Sequence, residues 1–118
     1  MKYLFICYKR CQTCRKAKAW LEENGVEYIW RDIDIDNPAK EELKGWVKES
    51  GLPARKFFNT SGQKYRSLGL SKKLGSMSEG EMVALLATDG LLVKRPLLVG
   101  GGKVLVGFDP EKWGEELL

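Results

Sequence analysis

The chain has 118 residues, of which 43% are hydrophobic and 31% are charged, and its formal net charge is +4. This length predicts a single domain over residues 1–118, the composition excludes a disordered chain, and the modest charge permits an anionic ligand or an acidic protein partner without predicting direct nucleic-acid binding. The first apolar stretch is too short for a signal peptide and no run approaches the roughly 20 apolar residues of a membrane helix, so we expect a cytoplasmic protein with no membrane partner.

The first part of the chain predicts a strand, a helix and a second strand. Apolar and aromatic residues at 2–7 are typical of a short buried strand. Apolar residues recur at helical spacing over 13–23, and Asn24-Gly25 is a stop signal. A second strand is expected over 26–33. Strand, helix and strand in this order predict a parallel pair.

The middle of the chain predicts several helices. Asn37 is expected to cap a helix that has Pro38 in its first turn. Glycines then break the pattern, and short helices are expected around residues 54–58 and 63–68. Together with the helix that follows them, these segments form a helical insertion at about residues 38–90.

The end of the chain predicts two strands between helices. Ser78 followed three residues later by Glu81 is a capping box, which begins a helix. Apolar residues at 96–99 and 104–106 flank a glycine-rich turn and predict an antiparallel hairpin. A last helix is expected over 109–117. The expected fold class is α/β, with a mixed four-stranded sheet flanked by helices.

All three cysteines lie within the first fourteen residues, which does not fit the dispersed disulfides of a small secreted protein. Cys11 and Cys14 are spaced so that their thiols share a helix face and can form a disulfide. Cys11 lies at or near a helix start, where unpaired N–H groups, the helix dipole and cations such as Lys9 favour a thiolate. We therefore predict that Cys11 is the attacking nucleophile and that Cys14 is the resolving thiol.

These residues also have simpler interpretations. Cys11 and Cys14 could be small core residues or metal ligands, but the chain has no histidine and a four-thiolate site would need a second chain, so we expect no metal. Cys7 ends an apolar strand and is expected to be a packing residue, with a redox role as the alternative. Arg95 before Pro96 could bind an oxyanion or a thiolate, although spacing alone favours a solvated surface arginine.

Motifs along essentially the whole chain resemble the ArsC/Spx/MgsR family: Cys11 to Glu22 (Cys-x-x-Cys followed by Arg-Lys-Ala-x-x-Trp-Leu-Glu), Phe58-Asn59-Thr60, Lys94-Arg95-Pro96-Leu97 and Val106-Gly107-Phe108. The resemblance implies a thioredoxin-like, glutaredoxin-like fold with a helical insertion. It also implies that the peptide bond before Pro96 is cis and that this proline faces the cysteine turn. Arg95 and Pro96 thereby become expected site residues.

The resemblance further implies a thiol-disulfide oxidoreductase that holds no bound cofactor and receives electrons from glutathione, glutaredoxin or thioredoxin. Its substrate would be an oxidised thiol or an oxyanion, attacked by Cys11 and bound near Lys9, Gln12, Thr13, Thr60, Ser61, Arg95 and Pro96. Family arsenate reductases carry an arginine in an Asn-Thr-Arg segment, where this chain has a serine. The missing guanidinium removes a charge-assisted contact, so tight arsenate binding is expected only if Lys64 or Arg66 reaches the site.

The same resemblance implies an alternative function. Cys14 matches the second cysteine of the Spx-type branch, in which the pair is a redox switch. In that case the chain would be a transcriptional regulator that binds RNA polymerase, and it would not be an enzyme.

Overall fold

The structure is a computed structural model that describes residues 2–118. Its strands are β1 (Tyr3–Cys7), β2 (Tyr28–Asp32), β3 (Leu97–Gly100) and β4 (Lys103–Val106). Its α-helices are α1 (Gln12–Glu23), α2 (Lys40–Ser50), α3 (Gln63–Ser67), α4 (Leu70–Lys73), α5 (Glu79–Leu86) and α6 (Pro110–Leu117). Short 3-10 helices lie at Ala54–Phe57, Leu74–Ser76 and Gly90–Leu92.

The four strands form one sheet in the order β2-β1-β3-β4. β1 pairs in parallel with β2 and antiparallel with β3, and β3 pairs antiparallel with β4. The prediction of a mixed four-stranded α/β fold is therefore confirmed. The hairpin turn is tighter than predicted, because Gly101 and Gly102 alone connect the two strands, with φ of 59° and 73°. Glycine adopts this left-handed conformation without a steric penalty, so the strands can extend almost to the turn.

Helices cover both faces of the sheet because side chains alternate along its strands. Phe5 and Cys7 of β1 point to the face covered by α1 and α6, where Trp113 is also buried. Ile6, between them, points to the opposite face and packs against the helices that lie between β2 and β3. Leu98 belongs to the first face and Leu97 to the second. The central strands β1 and β3 therefore contribute side chains to two separate hydrophobic cores, one on each face of the sheet.

Helix α2 begins later than the sequence predicted. Its N-cap is Ala39, and the Glu42 carboxylate accepts a hydrogen bond from the Ala39 N–H at 3.0 Å. The prediction of an Asn37 cap at a helix starting from Pro38 was wrong, because the Asn37 amide instead donates to the Ala87 carbonyl at 3.0 Å. A hydrogen bond to a residue that is distant in the chain therefore takes the place of the predicted local cap.

Two other predicted helix starts are confirmed. Ser78 and Glu81 form the capping box of α5: Ser78 Oγ accepts from the Glu81 N–H at 3.1 Å, and the Glu81 carboxylate accepts from the Ser78 N–H at 2.9 Å. The Asp109 carboxylate caps α6 by accepting from the Glu111 and Lys112 N–H groups. Among residues 2–118, no helix combines the length and apolarity needed to cross a membrane.

Candidate active site

Cys11 lies where the turn after β1 enters α1. It is the N-cap residue, with extended backbone angles of φ −92° and ψ 119°. Its N–H donates to the Tyr8 carbonyl at 2.9 Å, and its carbonyl accepts from the Arg15 N–H at 3.2 Å. The Cys11 side chain is half-buried, beside the first-turn N–H groups that have no partner within the helix. A thiol in this position is accessible and faces the positive end of the helix dipole.

Cys14 lies directly behind it and is fully buried. Cys14 is buried in the same core cluster as Cys7, and Cys11 packs against that cluster. The hydrogen bond from Cys7, helped by those from Tyr8 and Cys11 and by the charge of Arg95, lowers the pKa of Cys14, although burial opposes the shift. These surroundings favour the ionised form of Cys14 more than burial alone would allow.

Cys7 shows the opposite behaviour. It is fully buried at the end of β1, and this burial, together with its contact to Cys14, raises its pKa. Cys7 therefore keeps its proton at neutral pH. All three cysteines are free thiols in the structure; Cys7 and Cys14 are buried in one core cluster, and the half-buried Cys11 packs against it.

An open cleft of about 520 Å³ lies in front of Cys11. Its lining residues come from four separate segments: Cys11, Thr13, Asn59, Thr60, Ser61, Gly62, Lys94, Arg95, Val106, Gly107, Phe108 and Asp109. Among the predicted site residues, Cys11, Thr13, Thr60, Ser61 and Arg95 meet here. The fold joins these segments because Phe58 bridges to Val93 and the Asn59 N–H donates to the Leu92 carbonyl at 2.8 Å.

The other predicted site residues lie outside the cleft lining. Pro96 is buried, and the Arg95–Pro96 peptide bond is cis. Lys9 is exposed on the turn, where its carbonyl accepts from Arg15 Nη2 at 3.3 Å. Gln12 is exposed at the first position of α1.

Arg95 is anchored from behind and is not a freely solvated arginine. Its Nη1 donates to the Leu91 carbonyl at 3.3 Å, and its guanidinium carbon lies 5.0 Å from the centre of the Tyr8 ring. Its Nε atom is buried and has no hydrogen-bond partner among residues 2–118. Stacking and a single backbone acceptor leave most of the guanidinium donors available for a ligand in the cleft.

Lys94 is a cleft residue that the sequence analysis did not assign to the site. Its side chain passes over Gly107, where an added Cβ would come within 2.9 Å of Lys94 Cε. Gly107 has φ of 77°, and its carbonyl accepts from Trp113 Nε1 at 3.1 Å. Only glycine adopts this left-handed backbone conformation easily and also leaves room for the Lys94 side chain. Gly107 therefore allows Lys94 to reach the cleft as a second cation.

Neither of the two residues suggested as substitutes for the missing arginine belongs to the cleft lining. Lys64 forms an ion pair with Asp89 at 3.5 Å, in the neighbouring groove beyond Arg95, and Arg66 is exposed on α3. Asn59, Phe108 and Asp109 were also not assigned to the site. Asn59 and Phe108 belong to the motifs that carried the family resemblance, and this was the sequence signal that could have identified them.

The arrangement can perform thiol chemistry on an anionic or polarised substrate. An accessible thiol at a helix start, a second cysteine buried in the first turn of the same helix and two cations at the side would support attack, release and closure of a disulfide. Within residues 2–118, no group of three or more cysteine or acidic side chains is arranged to hold a metal ion.

Comparisons with known proteins extend along nearly the whole chain. Residues 7–115 match the ArsC family. The uncharacterized protein YusI of Bacillus subtilis is 53% identical over 98% of this chain and 98% of its own length. The regulatory protein MgsR of Bacillus subtilis is 30% identical over 90% of this chain and 82% of its own length.

A solved structure gives the same result. A Bacteroides fragilis protein described as ArsC family related is 59% identical, with a TM-score of 0.94 covering 98% of this chain and 97% of that chain. The thioredoxin-like fold expected from the sequence motifs is confirmed by this likeness. With a family match, a full-length relative and a solved neighbour in agreement, the chain belongs to the ArsC family.

Proposed function

We propose that the protein is a thiol-disulfide oxidoreductase in which Cys11 and Cys14 form the redox couple. One observation carries this proposal: Cys11 lies accessible at the start of α1 in a cleft, and it packs against the core cluster in which Cys14 is buried. If Cys11 and Cys14 were only packing residues, the Cys11 thiol would not need to face a cleft that is also lined by Lys94 and Arg95.

The reaction divides into two exchanges. The Cys11 thiolate attacks one sulfur of a substrate disulfide, forms a mixed disulfide and releases the first substrate thiolate. The Cys14 thiolate then attacks the Cys11 sulfur, forms the internal disulfide and releases the second substrate thiolate. Two electrons have passed to the substrate, and glutathione, glutaredoxin or thioredoxin returns them to the Cys11–Cys14 pair.

The surrounding groups favour both exchanges. Arg95, Lys94 and the N-terminus of α1 stabilise the thiolate that leaves in the first exchange. The lowered pKa of Cys14 keeps a reactive thiolate available for the second exchange at neutral pH. Because free thiols persist in reducing compartments, we place this chemistry in the cytoplasm.

The test is glutathione-coupled reduction of hydroxyethyl disulfide, followed by NADPH consumption with glutathione reductase. Cys11→Ser should lower activity at least 100-fold, because it removes the nucleophile. Cys14→Ser should accumulate a mixed disulfide on Cys11 that intact-mass measurement detects. Lys73→Ala, an exposed change on α4, should retain full activity. Undiminished activity in Cys11→Ser would refute the proposed function.

Arsenate reduction is a less well supported version of the same chemistry. The cleft offers Arg95 and Lys94 as cations, but it also contains the Asp109 carboxylate and places Ser61 where arsenate reductases of this family have an arginine. A multiply charged oxyanion should therefore bind weakly. Arsenate in the same assay, with each thiol donor in turn, should give a kcat/KM far below that for the disulfide.

A redox-controlled regulator is the second candidate, and the similarity to MgsR favours it. In this function the internal disulfide would change the surface around Cys11 and thereby the affinity for RNA polymerase. Reduced protein and oxidised protein, each immobilised, can be compared as bait in a cell extract. Retention of RNA polymerase in only one redox state would support the regulator and overturn the enzyme, while retention in neither state would count against the regulator.

A further inference from the structure

Exposed cations lie beside Cys11 in the chain, outside the residues that line the cleft. Lys9 and Arg10 precede Cys11 in the turn after β1, and Arg15 follows in α1. These three residues, Lys9, Arg10 and Arg15, form a cationic rim. We propose that the cationic rim selects a protein substrate whose disulfide is flanked by acidic side chains. The inference rests on the proposed function, because it names the substrate class of the same Cys11–Cys14 pair.

The Arg15 guanidinium lies at the same end of α1 as Cys11. Its Nη2 atom donates to the Lys9 carbonyl at 3.3 Å, so the side chain turns back toward the residues that precede the helix. The Cys11 carbonyl accepts from the Arg15 N–H at 3.2 Å, and residues four apart share one side of a helix. A neutral carbonyl occupies only one of the five N–H donors of the guanidinium. Its charge and its other donors therefore remain available to a partner.

No acidic side chain among residues 2–118 forms an ion pair with the cationic rim. The ion pairs in this part of the chain use other cations, which are Arg31, Lys64 and Lys103. The segment 9–21 also contains no aspartate or glutamate, so the first turns of α1 have no local counter-charge. Exposed cations without a counter-charge attract anionic partners and repel cationic ones.

Acidic side chains follow β2 at the same edge of the sheet, because β1 and β2 are parallel. Asp32 accepts from Trp30 Nε1 at 2.9 Å, and Asp36 pairs with Arg31 at 3.4 Å. Asp34 is exposed and forms no ion pair within residues 2–118. These carboxylates therefore do not pair with the cationic rim, which remains open to the charges of a partner.

The cleft adds two further cations in front of Cys11. Lys94 and Arg95 line it, and the Asp109 carboxylate in the same lining accepts from the Glu111 N–H as the cap of α6. A small disulfide inside this cleft of about 520 Å³ would meet Lys94 and Arg95 but not the cationic rim, since no rim residue belongs to the lining. A partner that contacts both sets of cations must extend beyond the cleft. The arrangement therefore fits an acidic protein surface around the disulfide better than a free small disulfide.

The choice of an acidic protein leaves the exchange chemistry unchanged. The Cys11 thiolate bonds to one substrate sulfur as the substrate S–S bond breaks, and Cys14 then closes the internal disulfide, so both substrate sulfurs leave as thiolates. The cationic rim acts on the encounter that precedes these steps. Complementary charge raises association rates by about 10- to 1000-fold at low salt, and salt removes most of this gain.

The experiment uses three peptides that share one disulfide loop and carry flanking Glu, Gln or Lys residues. Each peptide is mixed with the pre-reduced protein, the reaction is quenched in acid, and intact-mass measurement gives the second-order rate constant for formation of the internal disulfide. The Glu peptide should react at least about tenfold faster than the Gln peptide, and the Lys peptide should be the slowest. Salt at about 1 M, where the Debye length is about 3 Å, should remove most of this difference. The wild-type order and its salt dependence test the proposal without any variant.

Charge reversal locates the effect on the rim. Arg10→Glu combined with Arg15→Glu should slow the Glu peptide at least about tenfold more than the Gln peptide. A change in the reactivity of the Cys11 thiol would slow every peptide by the same factor, so it cancels in this ratio. Lys40→Glu combined with Lys44→Glu makes the same change in net charge at exposed positions of α2 and should preserve the wild-type order.

The outcomes separate this inference from the proposed function. Equal rates for the three peptides in the wild type, equal losses in the rim variant, or no reaction with any peptide while hydroxyethyl disulfide is reduced would overturn the inference alone. Strong inhibition of the Gln peptide reaction by a single-stranded oligonucleotide that the rim variant abolishes would assign the rim to nucleic acid and would also overturn it. If the wild type reduces neither the peptides nor hydroxyethyl disulfide, the proposed function itself fails.

Discussion

At the scale of single residues, Arg95 shows how context decides a role. The sequence could not distinguish a solvated arginine from a ligand-binding arginine. In the folded chain, the Tyr8 ring lies 5.0 Å from its guanidinium and the Leu91 carbonyl accepts from Nη1, so the group is held at the cleft at a reduced entropic cost. Tyr8 comes from the cysteine turn and Leu91 from the segment before β3. Only the fold brings the two together.

Two glycines have opposite steric surroundings. A Cβ at Gly90 would lie 1.8 Å from the Ile33 carbonyl oxygen, whereas a Cβ at Gly45, exposed within α2, would meet no atom within 4 Å. Gly90→Ala should therefore destabilise the protein by about 3 kcal/mol, because the backbone must move to relieve the clash. The matched control Gly45→Ala should stabilise it by about 1 kcal/mol through helix propensity.

Urea unfolding measures both effects as free energies of unfolding. A Gly90→Ala protein as stable as wild type would contradict the close approach of the 3-10 helix at Gly90–Leu92 to residue 33.

At the scale of elements, an ion pair connects the edge strand β2 to α2. The Arg31 guanidinium donates to both Glu42 carboxylate oxygens, at 2.7 and 2.9 Å, and lies 5.9 Å from the Trp46 ring. Glu42 also accepts from the Ala39 N–H at the start of the helix. One carboxylate thus both caps α2 and anchors it to the sheet, which local sequence patterns did not predict.

The Arg31–Glu42 contact should make stability pH-dependent. The hydrogen bonds from Arg31 lower the pKa of Glu42 in the folded protein, so this contribution is complete above the unfolded pKa of about 4.3 and is lost as pH falls through the lowered folded value. Glu42→Gln should cost about 1 kcal/mol at pH 7, since the pair is partly exposed. The difference from wild type should shrink below about pH 4.

Urea unfolding at pH 7 and at pH 3 measures this difference. Glu49→Gln, an exposed change near the end of the same helix, should alter stability by less than about 0.5 kcal/mol. A Glu42→Gln effect that stays the same at both pH values would mean that ionisation of the carboxylate is not its source.

At the scale of the whole molecule, the Cys11–Cys14 pair lies on the α1 and α6 side of the sheet. Cys14 packs there with Phe5, Leu98 and Trp113, while the helices between β2 and β3 build the other core. The cleft forms where the two sides meet, because the Asn59–Gly62 loop comes from the second side and Cys11 from the first. The helices between β2 and β3 therefore contribute a wall of the site as well as a layer of the fold.

The sequence by itself determined the strand and helix order, the mixed sheet, the capping box at Ser78 and the dithiol at a helix start. These features depend on side-chain periodicity and on neighbours within a few residues, which a sequence displays directly. The family motifs added the cis bond before Pro96, and the structure has it.

Only the tertiary structure decided which residues share the cleft, that Asn37 bonds to Ala87 rather than capping α2, and that Lys94 passes over Gly107 into the site. It also decided that Cys7 and Cys14 are buried in the same core cluster. These contacts join residues of different strands, helices and loops, and the sequence pattern does not show that these residues are neighbours in the fold. Their energies come from burial and packing that no local pattern encodes.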